Sequence, residues 1–366
     1  MSSNNKSFVS AARLVSVLTL VSRVLGLIRD AVMARYFGAV IMHYFGIPFQ
    51  IPNLARRLFG EGALTAALIP VYTDELKKDP EKAALLARSV FTLLLIVLAI
   101  ITLAGTAVLA AFRYGPVSAG YDFKTLAMLS LAIIMLPYMI MICAVAMVGG
   151  VLQVHRHFLA PAAAPAFLNI TLIVGVLYFS RYFGADRWDQ IFAAAWAVLA
   201  AGVIQFATQL PALRRHKISL APRFVFNEEP LRKIFRIMGP MIIGLAAVQI
   251  NTVSDNLIAF FLSSTESRGE SFMLFGQVIN WPVHEGSVNF LYNAQRCYQF
   301  PLGVFGIALA TAIFPYLSSC VTENDMKGFA RQLNHGIRLT IFIGLPSTLG
   351  MVVASSLMVR AIFEGG

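Results

Sequence analysis

At 366 residues, with 58% hydrophobic and only 13% charged side chains and a mean hydropathy of +0.73, the chain carries more apolar surface than a soluble domain can bury. That excludes a soluble globular protein and leaves a membrane protein with room for about nine or ten spans of about 20 residues each. A net charge of +11 and a pI near 9.8 would suggest nucleic acid in a soluble chain, but here the Lys and Arg residues fall in particular loops and inside certain helices, so no nucleic-acid partner is expected.

Apolar segments fall at 9–37, 44–72, 89–112, 126–151, 160–180, 190–213, 237–262, 288–318 and 336–359, each long enough to cross the hydrocarbon core. The first is no cleaved signal peptide, because Arg13, Arg23, Arg29 and Asp30 interrupt it and no cleavage site follows. Lys77, Lys78, Lys82 and Arg88 follow the second segment, His155, Arg156 and His157 the fourth, Arg214, Arg215 and Lys217 the sixth, and Lys327 and Arg331 the eighth. Those loops are therefore expected in the cytoplasm, with the N-terminus inside. The basic stretch 214–236 separates an expected N-terminal six-helix lobe, 1–213, from a partial C-terminal lobe of about three helices, 237–366. The chain reads as a polytopic all-α bundle truncated after about nine helices. A weak internal echo relates Ala55-Arg56-Arg57 with Pro70 to Ala294-Gln295-Arg296 with Pro315.

Ionisable residues inside spans are the informative ones, because a charge at the bilayer centre costs at least about 2.5–3.5 kcal/mol. Arg23, Gly26 and Asp30 lie at i, i+3 and i+7 on one face of the first helix, with Arg29 at its border. The second segment adds Arg56, Arg57 and Glu61 around Pro52 and Gly62, where a proline removes a backbone donor and bends the helix. The eighth adds Arg296, followed by Pro301. Arginines from separate helices with few acids describe an anion-binding cavity, since the guanidinium fork stays charged and grips phosphate oxygens in pairs. Local pairing of Arg29 with Asp30 and of Arg57 with Glu61, or snorkelling towards headgroups as for Arg13 and Arg35, is the competing reading.

Asp255, beside Gln249, Asn251, Thr252 and Ser254, is a candidate holder of sodium or a proton, or else a carboxylate near a helix end. Asn169-Ile170-Thr171 matches a glycosylation sequon inside a span, where it is not expected to be used. Cys143, Cys297 and Cys320 lack metal-ligand spacing and read as small buried hydrophobes. With neither a phosphate-binding loop of the G-x-x-x-x-G-K-[ST] type nor Asp-rich Mg²⁺ clusters, a transporter is favoured over an enzyme.

Ser22-Arg23-Val24-Leu25-Gly26, Arg29-Asp30, Phe37-Gly38-Ala39 and Pro52-Asn53-Leu54-Ala55-Arg56-Arg57 with Glu61-Gly62-Ala63 closely resemble the MurJ (MviN) lipid II flippases. Leu136-Pro137-Tyr138, Pro161 to Asn169, Met238-Gly239-Pro240, and Arg296 with Phe300-Pro301 and Gly303 continue the likeness. The resemblance implies the two-lobe fold of the multidrug/oligosaccharidyl-lipid/polysaccharide exporter superfamily, working by alternating access on lipid II. It implies substrate-binding roles for Arg23, Arg29, Arg56 and Arg296 and supporting roles at the cavity and gate for Ser22, Gly26, Asp30, Arg57 and Glu61. Asp255 would match an acid that helps some members bind sodium; no other cofactor is implied.

Implied partners are lipid II, membrane lipids and proteins of cell-wall synthesis, at the bacterial inner membrane. An exporter of another polyprenyl-linked glycan or of drugs, and a non-transporting scaffold of wall synthesis, remain open. The chain departs from the family pattern at His43 and Gln295, where acids are common, and in a long loop, 263–287, containing Trp281-Pro282-Val283-His284-Glu285.

Overall fold

The computed structural model describes residues 3–363 apart from 61, 226, 267, 302–308, 310–312, 314, 315, 318, 322 and 324. Glu61, Gly303 and Pro315, invoked above, lie outside the described residues, as does the side chain of Arg13.

The long first helix, α1 (Ser3–Ala55), is broken only at Gly38, whose φ of 75° and ψ of 171° suit a residue without Cβ. The expected first span thus ends where the sequence placed its end, but the next begins at once, with no loop between. That second span is itself cut: a π turn at Arg56–Gly60 follows Pro52, and α2 (Ala63–Lys78) resumes beyond it. Proline withholds an N–H from the helical ladder and crowds the carbonyl one turn earlier, which favours such a break.

Then follow α3 (Pro80–Tyr114), α4 (Phe123–Met135), α5 (Tyr138–Val154), α6 (Leu159–Val174) with a π turn at Gly175–Phe179, and α7 (Arg187–Arg215). Next come α8 (Glu229–Phe261), a hairpin of β1 (Ser271–Leu274) and β2 (Gln277–Asn280), α9 (Ser287–Pro301) and α10 (Met326–Phe363). Aspartates start four of the helices: Asp79 accepts from the Glu81 and Lys82 amides ahead of α3, Asp122 from Thr125 ahead of α4, Asp186 from Trp188 ahead of α7, and Asp325 from Gly328 ahead of α10. At the C-termini of α5 and α7, Arg156 and Lys217 adopt left-handed φ values of 60° and 54°. The amides after them close onto the Leu152 and Leu213 carbonyls at 2.9 Å.

Among the described residues, six helical stretches are long and apolar enough to cross a membrane: α3, α4 with α5, α6 with its extension, α7, α8 and α10. Of the other three expected spans, 9–37 and 44–72 fall on α1, the π turn and α2, and 288–318 runs from α9 into residues outside those described.

The chain divides into two compact units, 1–288 and 289–366. In the first, Met33, Phe37, Phe45, Leu68, Leu98, Leu131, Met135, Tyr138, Met147 and Leu152 form one continuous core. The basic loops gather at one end of this unit: Arg88 donates to the Ala221 carbonyl at 2.9 Å, Lys233 lies 3.7 Å from Asp74, and the His155 and His216 rings are 5.5 Å apart. At the opposite end Lys124, at the start of α4, bonds both Glu285 oxygens at 3.0 Å, and Glu285 also accepts from the Tyr44 hydroxyl at 2.9 Å. The second unit holds α10 and most of α9.

Candidate functional site

The site is built where α6 lies along the charged face of α1. Gly26 marks the contact: a Cβ there would stand 3.6 Å from the Asn169 amide nitrogen, an ordinary van der Waals distance. Asn169 uses both ends of its amide: Nδ2 donates to the Ser22 carbonyl at 2.9 Å and Oδ1 accepts from Arg29 Nη1 at 2.9 Å. Arg29 also donates through Nε, at 2.9 Å, and Nη2, at 2.6 Å, to Asp30 Oδ1, and its guanidinium carbon stands 5.5 Å from the Phe49 ring centre. Arg29, Asp30 and Asn169 are 4%, 5% and 4% exposed. A charge pair so thoroughly desolvated holds only because each partner is bonded to the other and to further groups.

Beside this buried cluster, between the N-terminal part of α1 and the α5–α6 turn, opens a cavity of about 610 Å³. Arg23, exposed, projects into it with the hydroxyls of Ser16, Thr19 and Ser22 and the amide of Gln153; Phe158, Pro161 and Pro165 supply an apolar wall. One cationic fork among neutral hydrogen-bonding groups, set against an apolar wall, suits a ligand with an anionic head and a greasy tail.

The expected site residues therefore divide. Ser22, Arg23, Gly26, Arg29 and Asp30 come together, with Arg23 in the cavity and Arg29 in the buried cluster, paired to its own neighbour as the competing reading anticipated. Arg56 and Arg57 lie in the π turn, and Arg57 Nη1 reaches Gln249 on α8 at 3.4 Å. Arg296 belongs to the second unit, where its Nη2 donates to the Tyr292 hydroxyl and its guanidinium carbon lies 4.8 Å from that ring's centre. Arg35 is exposed.

Asp255 is exposed on α8 and accepts from Asn251 Nδ2 at 3.3 Å. Among the described residues no group of three or more His, Cys, Asp or Glu is placed to hold a metal.

Sequence reasoning missed Asn169 as a site residue, along with Ser16, Thr19 and Gln153. The signal for Asn169 was present: a polar amide in the apolar run 161–174 meets the same test that singled out the charges.

Residues 33–366 match the family model described as lipid II flippase MurJ. The chain belongs to this family. A probable lipid II flippase MurJ of Vibrio cholerae is 32% identical over 99% of this chain and 66% of its own length, and a lipid II flippase MurJ of Burkholderia cenocepacia is 30% identical over 96% and 65%. The chain thus spans about two thirds of the length of these relatives. A solved structure of a lipid II flippase MurJ in an inward closed conformation superposes with a TM-score of 0.68 at 25% identity, covering 96% of this chain and 68% of that one. An inward-facing MATE multidrug transporter of the MOP superfamily shares the fold alone, with a TM-score of 0.65 at 15% identity over 93% of this chain and 72% of that one.

MurJ membership and the six apolar helices make this a multi-pass membrane protein with the helical fold of that superfamily, in a family of transporters.

Proposed function

We propose that this MurJ chain carries lipid II from the cytoplasmic to the outer leaflet of the bacterial inner membrane by alternating access. The observation that carries the reading is the cavity holding Arg23, hydroxyls and an apolar wall, next to the buried Arg29–Asp30–Asn169 cluster. In this reading Arg23 is the first contact for the pyrophosphate, Arg29 fixes the shape of α1, and Arg56 and Arg296 bind the headgroup later in the cycle, with Ser22, Gly26, Asp30, Arg57 and Glu61 in support. The polyprenyl tail stays in lipid.

The basic end of the first unit lies in the cytoplasm with the N-terminus. Residues 1–213 act as one lobe, 214–236 as the connection and 237–366 as part of the second. The membrane potential, at about 2.3 kcal/mol per charge per 100 mV, or a cation at Asp255 biases the cycle. Proteins of cell-wall synthesis are its neighbours in the membrane.

The test is rescue of a flippase-depleted bacterium by the whole gene, read to its natural stop codon, that encodes this sequence, comparing the parent with Arg23→Ala and Arg56→Ala at matched membrane levels. Rescue by the parent and failure of both variants is the expected result. Equal rescue by the variants would overturn the anion-cavity mechanism and favour a scaffold of wall synthesis.

A further inference from the structure

The loop between α8 and α9, which the flippase reading leaves without a purpose, is a β-hairpin of unusual chemistry. Its strands pair antiparallel with Ser271 opposite Asn280 and Leu274 opposite Gln277, so Phe275 and Gly276 form the two-residue turn. Both have positive φ, 49° and 79°, as a type I′ turn requires. Glycine takes this conformation freely, and Asn or Asp is the usual companion; a bulky aromatic there is an outlier. Phe275 holds it while 97% exposed, so its ring contributes nothing to the fold. An unfavourable backbone position occupied by a fully exposed aromatic points outside the chain for its reason.

The surroundings agree. Met273 and Val278, opposite each other in the register, are 75% and 69% exposed, and Leu274 is exposed as well. Residues 271–280 carry no charge, whereas Glu266, Arg268, Glu270 and Glu285 crowd the foot. That foot is fixed. Lys124 bridges Glu266 and Glu285, the Ser264 amide donates to the Val283 carbonyl at 2.9 Å, and the amides of Gly286 and Val288 donate to Nδ1 of the buried His43. The mount lies at the end of α8, a helix apolar and long enough to span, whose last turns expose Leu257, Ile258 and Phe261.

We propose that the hairpin tip docks into the lipid surface beside the end of α8, with Phe275, Met273 and Val278 among headgroups and upper acyl chains and the charged foot in water. A four-residue strand rises about 13 Å, enough to cross a headgroup layer of roughly 5–7 Å. The unpaired outer edges of a two-stranded ribbon keep it out of the hydrocarbon core. A lipid surface fits better than a protein partner, because the apolar tip offers no charge to set a partner's register.

The test needs only the membrane-spanning character of α8 and not the substrate. Nitroxide labels are placed one at a time at Phe275→Cys, Val278→Cys and Glu270→Cys, in a background with Cys143→Ala, Cys297→Ser and Cys320→Ser. The protein is reconstituted in palmitoyl-oleoyl phosphatidylethanolamine and phosphatidylglycerol vesicles, and collisions with oxygen and with a nickel chelate are compared by power-saturation EPR. The expected result is that oxygen outcompetes the chelate at 275 and 278 and loses to it at 270. Dominance of the chelate at 275 overturns the proposal, as does low accessibility to both reagents, which would show that another protein or a second copy covers the tip. Oxygen dominance at all three positions overturns it too, since the foot would then not lie in water.

Discussion

Asn169 and Arg29, 140 residues apart in sequence, meet at 2.9 Å in the interior, and the same amide grips the Ser22 carbonyl at 2.9 Å. One side chain of α6 thereby holds α1 at two points on either side of Gly26. Its position beside the cavity sets the aim of Arg23 through the backbone of α1, which is a tighter coupling between fold and site than charge counting alone suggests.

Asn169→Leu removes both bonds and leaves the Arg29 fork and the Ser22 carbonyl each short of one partner. The expected cost is about 1–3 kcal/mol. A lowered melting temperature in detergent, without loss of helical circular dichroism at low temperature, is the readout. An unchanged melting temperature would show that the amide is dispensable.

The Arg29–Asp30 pair predicts strong coupling. Removing either partner alone leaves the other charge buried, at a cost of about 3–5 kcal/mol, whereas removing both costs much less than the sum. Arg29→Ala, Asp30→Ala and the double variant are to be compared by equilibrium unfolding in mixed micelles. Additive losses would mean that the two charges are solvated independently.

At Gly175, in the second π turn, a Cβ would stand 2.5 Å from Ala197 Cβ on α7. Gly175→Val is therefore expected to destabilise by about 1–3 kcal/mol through overpacking. Adding Ala197→Gly should restore most of the loss in the same unfolding assay; absence of rescue would place the strain elsewhere.

His155, His157 and His216 cluster where α5 and α7 end, with His155 also 2.9 Å from the Tyr72 hydroxyl. Burial, and then the neighbouring His216, hold the His155 imidazole below its ordinary pKa; His157 is lowered by burial, His216 and Arg215 in that order. The unfolded chain therefore binds more protons than the folded one as pH falls below about 6.5, so stability decreases on acidification. The melting temperature should drop between pH 8 and pH 5, and His155→Gln should flatten that drop. A melting temperature that rises on acidification would contradict the assignment.

Much of the fold was legible because lipid imposes a coarse rule: long apolar runs become helices, and the segments at 89–112, 126–151, 160–180, 190–213, 237–262 and 336–359 each fall in one of the six membrane-length stretches. Local geometry was less visible. The loop expected after Phe37 shrank to the single residue Gly38, since one left-handed glycine redirects a helix as well as a longer turn does. The hairpin was hidden because Phe-Gly is not the usual turn signal and its strands are only four residues long. In the site, charges drew attention to α1, but Arg29 is held by the neutral Asn169 as well as by Asp30. Asn169 costs less to bury than a charge and so leaves a fainter mark in the sequence, and Ser16, Thr19 and Gln153, which are exposed, leave none.

The two π turns, at 56–60 and 175–179, have a consequence for how this chain tolerates changes of length. A π turn houses one residue more than the α-helical path between the same end points. Deleting one residue there lets the turn relax to α geometry while the flanking segments keep their facing. A deletion elsewhere in a span would rotate everything beyond it by about 100° and turn a core face towards lipid. Single-residue gaps against relatives should therefore collect at these two turns.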